Sequence, residues 1–142
     1  MRPLPRVLIA CSLILIPASL IPTMSMEAVQ PTDDSLDLVR AQIAGGKAVL
    51  VDVREVEETD EGYLAGAILL PLSEIAENHQ REDYAETLAE AVATDKVVYT
   101  YCKAGVRAQM AGEVFARFRY DVRPLPLGFA DLVAEGFNPA GQ

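Results

Sequence analysis

Two stretches, Ala48-Val49-Leu50-Val51-Asp52-Val53 and Val97-Val98-Tyr99-Thr100-Tyr101, are apolar almost without interruption. A strand wetted on one face alternates apolar and polar side chains, so a continuous run needs cover on both faces. That demand points to a parallel sheet with helices above and below it. The intervening sequence supplies candidate helices. Thr32, Asp33 or Ser35 can cap one that carries Leu36, Val39 and Ile43 on a single face and stops at Gly45-Gly46. Spacing predicts further helices over 73–77, 84–93, 108–120 and 128–135, the last stopped by Gly136. Residues 62–66 read as a turn, and residues 67–70 as a short apolar run ended by Pro71. Residues 122–127 read as an edge strand, because Pro124 and Pro126 cannot donate to a ladder. The acidic stretch from Arg54 to Glu61 reads as a solvated loop or short helical turn. The expected class is α/β, with a central, mostly parallel sheet and helices on both faces.

In such sheets the chemistry belongs at the carboxyl ends of the strands. Asp52 ends one apolar run and Cys102 follows the other, so the two are expected at one rim. Cys102-Lys103-Ala104-Gly105-Val106-Arg107 then passes from strand to helix. A loop of this kind can turn several backbone N–H groups inward, and the N–H groups that open a helix have no partner within it. Gly105 permits a backbone conformation that a β-carbon resists. Arg107 and Lys103 would add positive charge at the mouth. The pattern describes a cradle for a thiolate, the reactive form of cysteine.

The first 26 residues differ from the rest: Arg2 and Arg6 precede an apolar run from Val7 to Ile21, and no acid occurs before Glu27. That is the layout of a secretory signal peptide, placing the protein in the periplasm or outside the cell. Pro17, Pro22 and the shortness of the run disfavour a membrane span. An uncleaved N-terminal anchor is the alternative, and the only route to a membrane. Ala18, Ser25 and Ala28 are the candidate cleavage points. Cleavage would remove Cys11, leaving Cys102 without an internal disulfide partner in an oxidising compartment.

Charge and residue inventory narrow the chemistry. A net charge of −9, with no basic stripe, excludes nucleic acid as a partner. The one histidine, His79, sits in the polar segment Glu77-Asn78-His79-Gln80-Arg81, away from any cysteine in sequence. A cysteine hydrolase, which needs a histidine base, is therefore disfavoured. So is zinc, which needs a Cys/His cluster, and no cofactor is expected. Thiolate attack on an electrophilic sulfur or phosphorus held in an anion nest remains.

Cys102-Lys103-Ala104-Gly105-Val106-Arg107 resembles the Cys-x-x-Gly-x-Arg active-site loop of rhodanese domains. Val51-Asp52-Val53-Arg54-Glu55 resembles that family's Asp-x-Arg segment. The run from Gly62 to Leu72 resembles its Gly-His-Ile-x-Gly-Ala…Pro segment, and Leu127-Gly128-Phe129 through Gly136-Phe137-Asn138-Pro139 its terminal segment. The similarity covers residues 34–140, the expected domain. Tyr63, Leu132 and Leu127 depart from the family's commoner histidine, tryptophan and glycine, at positions that read as structural.

The resemblance implies a sulfurtransferase. Cys102 would take the outer sulfur of a small anionic donor such as thiosulfate and become a persulfide. A thiophilic acceptor, cyanide or a thiol, including a protein thiol, would then remove the sulfur. Lys103, Ala104, Gly105, Val106 and Arg107 would bind the substrate, with Asp52 and Arg54 bracing the rim from behind. A non-enzymatic persulfide carrier or interaction module is left open. A cysteine-dependent phosphatase or arsenate reductase is less favoured. Those loops place five residues between cysteine and arginine, and here there are four.

Overall fold

The computed structural model describes residues 28–141. The expected leader lies outside the described residues. Along the chain run α1 (Leu36–Ala44), β1 (Ala48–Asp52), α2 (Val56–Thr59), β2 (Tyr63–Leu64), β3 (Ile68–Leu69) and α3 (Leu72–Asn78). There follow α4 (Tyr84–Ala91), β4 (Val97–Tyr101), α5 (Val106–Arg117), α6 (Phe129–Ala134) and β5 (Pro139–Ala140).

The two apolar runs lie side by side. β1 and β4 pair in parallel from Ala48 opposite Val97 to Asp52 opposite Tyr101, and β3 joins the other edge of β1, also in parallel. Successive side chains point to opposite faces of a strand, and each face has its own core. Val51, Val53 and Val98 pack on one side with Ile75 of α3, Leu88 of α4 and Phe115 of α5. Leu50, Tyr99 and Tyr101 pack on the other with Val39 of α1, Leu132 of α6 and Phe137. The strands are apolar except for Asp52 and Thr100 because both faces are covered, and the expected α/β class is what forms.

Three details differ from the sequence expectations. Residues 122–127 are not a strand, although Val122 makes a single parallel bridge to Val98. The N–H groups of Arg123 and Leu125 still donate to the Val98 and Thr100 carbonyls, at 2.8 Å each. Proline at 124 and 126 leaves gaps in what would be a third row of the ladder. The turn expected at 62–66 contains β2, which pairs antiparallel with β5. Two-residue strands are too short to show a periodicity. Finally, the Arg54–Glu61 stretch forms the short helical turn expected as one alternative but is only partly solvated: Val56, Glu57, Asp60 and Glu61 are exposed, Arg54 and Thr59 are buried, and the four residues of α2 turn Glu58 toward Arg107.

Candidate active site

β4 delivers Cys102 to the carboxyl rim of the sheet, where it is 1% exposed and belongs to the α5-side core. The strand is tied to the helix that follows it, because the buried Thr100 hydroxyl donates to the Ala108 carbonyl at 2.9 Å. Between them the loop turns over the sulfur. Gly105, at φ +89°, caps α5, and its N–H points at Cys102 Sγ across 3.1 Å. A side chain at this position would be strained by the dihedral, and its β-carbon would press on the Pro126 carbonyl oxygen at 3.1 Å.

The loop is gripped from outside as well. The Phe129 N–H donates to the Cys102 carbonyl at 2.9 Å. Gly128 approaches so closely that a β-carbon there would overlap the Lys103 carbonyl. Gly128 is thus required by contact and not by its backbone angle, which lies at φ −89°. Lys103, Ala104 and Val106 are exposed on the outer surface of the loop. Sulfur and solvent are therefore separated by little more than the loop itself.

Asp52 sits at the neighbouring strand end, fully buried, as the shared-rim expectation required. Its carboxylate accepts from Arg54 Nε at 3.1 Å and from Nη2 at 2.7 Å. Arg54 Nη2 also donates to the Gly62 carbonyl at 2.7 Å, and the guanidinium lies 4.2 Å from the centre of the Phe129 ring. One arginine therefore fastens β1, the approach to β2, and the residue that holds the Cys102 carbonyl. Tyr101, between Asp52 and Cys102 on the rim, accepts the Leu64 N–H on its hydroxyl at 3.0 Å. Burial pushes this phenol far above its ordinary pKa, so it stays neutral.

Arg107 departs from the simplest expectation. It does not stand at the mouth as an unpartnered positive charge. Its two terminal nitrogens donate to the two oxygens of Glu58 at 2.5 and 2.9 Å, forming a two-pronged pair. The Arg107 hydrogen bonds hold the Glu58 carboxyl at about 2, far below its usual 4.5. The same contact raises Arg107. Glu58 itself is fixed by α2: its carboxylate accepts the Glu55 N–H at 3.1 Å, while its carbonyl accepts from Arg54 Nη1 at 3.4 Å. Sequence reasoning missed Glu58 because 49 residues separate it from Arg107. The available signal was the spacing of Glu55 and Glu58, three residues apart as in a capping box, where the Glu58 side chain accepts the Glu55 N–H.

His79 makes its ring contacts with the backbone of its own helix. It ends α3, and its Nδ1 lies 2.9 Å from the Ala76 carbonyl oxygen. Among the described residues no three His, Cys, Asp or Glu side chains cluster as metal ligands would.

Known proteins share this fold. The rhodanese-like domain family model matches residues 35–135. The human single-domain sulfurtransferase TSTD1 superposes with a TM-score of 0.61 at 28% identity, over 75% of this chain and 97% of that one. The Saccharomyces cerevisiae single-domain sulfurtransferase RDL2 shares the fold, with a TM-score of 0.60 at 23% identity, over 78% of this chain and 94% of its own. Bacillus subtilis YqhL is 34% identical over 71 residues, 50% of this chain and 48% of that protein. The chain spans about half the length of the curated relatives it matches.

Proposed function

We infer that this chain, which belongs to the rhodanese-like domain family, is a sulfurtransferase that carries sulfane sulfur on Cys102 as a persulfide. One observation carries the reading: a cysteine at a strand end, beneath a Cys-x-x-Gly-x-Arg loop whose Gly105 N–H points at its sulfur. The human neighbour with 28% identity, itself a single-domain sulfurtransferase, supports it.

In the first half-reaction the Cys102 thiolate attacks the outer sulfur of thiosulfate. The donor's S–S bond breaks, and sulfite leaves with the electron pair. The Gly105 N–H, already aimed at the cysteine sulfur, is the loop donor placed to stabilise the negative charge of the persulfide. In the second half-reaction a thiophilic acceptor, cyanide or a thiol, attacks that sulfur and Cys102 departs as thiolate. No histidine is required, because neither step takes a proton from carbon or activates water. Lys103 and Arg107 orient the donor, while Asp52 and Arg54 keep the rim in register. The leader pattern of residues 1–26 supports export to the periplasm or beyond.

The test is intact mass spectrometry after incubation with thiosulfate, on the wild type and on Cys102→Ser. The wild type gains one sulfur atom and the variant gains none. A wild type that gains nothing removes the first half-reaction. A persulfide that forms but is turned over by neither cyanide nor small thiols makes the chain a carrier for a protein acceptor.

A further inference from the structure

The Glu58–Arg107 pair has a property that a structural tie does not need. It sits at the mouth of the loop, with the two side chains 31% and 27% exposed, and not in the core. Arg107 follows by two residues the Gly105 whose N–H points at Cys102 Sγ. Its guanidinium is nevertheless matched, oxygen for nitrogen, by a carboxylate that stays ionised across the whole working range of pH. A second carboxylate, Glu55, stands nearby and accepts the Ser73 hydroxyl at 2.6 Å. Lys103 is the loop's remaining cation, exposed and without an ion-pair partner among the described residues. The chain as a whole carries a net charge of −9.

An anionic donor approaching Cys102 therefore meets Arg107 together with its counter-charge. Coulomb energies scale with the charge on the donor. A dianion is penalised by Glu58 twice as heavily as a monoanion that reacts in the same way.

We propose that Glu58 is a specificity-determining residue, which acts through Arg107 to set the charge of the sulfur donor and favours singly charged donors over dianionic ones. The inference rests on the sulfur-transfer reading of Cys102. Organic thiosulfonates are the matched probe. Methanethiosulfonate presents the same outer sulfur on a sulfonyl group but carries one negative charge where thiosulfate carries two. Attack by Cys102 breaks its S–S bond and releases methanesulfinate with the electron pair, so the persulfide is the same.

The experiment measures kcat and KM for both donors with cyanide as acceptor, in wild type, Glu58→Gln and Glu58→Asp. In Glu58→Gln the KM for thiosulfate falls on the order of tenfold, the effect of one close, partly screened charge, and that for methanethiosulfonate falls about threefold. Preference therefore shifts toward the dianion, with the change in KM and not in kcat. Glu58→Asp keeps the carboxylate and restores the wild-type ratio of the two donors. Equal changes for both donors, or an unaltered ratio, overturn the assignment and make the pair a structural tie alone. Wild type that forms persulfide with neither donor overturns the sulfur-transfer reading itself, and the Glu58 assignment with it.

Discussion

Two arginine–carboxylate pairs flank the cysteine loop, and they are built for different purposes. Asp52–Arg54 is sealed, its side chains 0% and 6% exposed, and Arg54 also reaches Gly62 and Phe129. Glu58–Arg107 has similar bidentate geometry but faces solvent. Both are joined through Arg54, which donates to the Glu58 carbonyl. Similar chemistry thus serves as a rivet when buried and as an adjustable charge when wet. A buried pair cannot lose one member without stranding the other, whereas water compensates an exposed one.

The sharpest way to break the comparison is Asp52→Asn. It removes the negative charge opposite a buried guanidinium and is expected to cost about 3–5 kcal/mol in unfolding free energy, read by urea denaturation. Arg54→Lys comes next. It keeps the charge but loses the planar fork that reaches Asp52 and Gly62 together, and is expected to destabilise by about 1.5–3 kcal/mol in the same measurement. Glu58→Gln is expected to cost at most about 1 kcal/mol, and that difference should shrink in 1 M salt while the Asp52→Asn difference persists. Equal costs at the two sites would end the distinction.

The smallest effect is in acid. The folded Glu58 carboxyl lies at about 2 against a usual 4.5, so its pair adds stability that is fully present above about pH 4.5. That contribution is lost as the pH falls toward 2. The stability difference between wild type and Glu58→Gln should accordingly be level at neutral pH and close as the pH drops through this window. A difference that widens in acid would reverse the sign of the linkage.

The comparison also separates what a sequence displays from what it conceals. The nearly continuous apolar character of β1 and β4 announces burial on both faces, because that character is a property of consecutive residues. Cys102, Gly105 and Arg107 are legible for the same reason: six neighbouring positions carry the loop. Asp52 and Arg54 are visible as a local pair, but the ties of Arg54 to Gly62 and to the Phe129 ring depend on how the chain returns. Glu58 was hidden within an acidic stretch that looks like an ordinary solvated surface, since charge composition cannot tell a free carboxylate from a matched one. The segment after α5 shows the converse limit. Prolines correctly mark the place where the ladder fails, yet Arg123 and Leu125 on either side of Pro124 still donate to β4. Strand and loop differ there by single bonds.

The close approach of Gly128 to the Lys103 carbonyl, with the Phe129 N–H on the Cys102 carbonyl, has a consequence for biogenesis. Cys102 is synthesised before the residues that clasp its loop. Until positions 125–129 have left the ribosome, the thiol exists as part of a strand without its finished roof. Its clasped geometry is consequently a late product of chain growth, whatever order the sheet and helices follow. A half-made chain carries the cysteine but not the site.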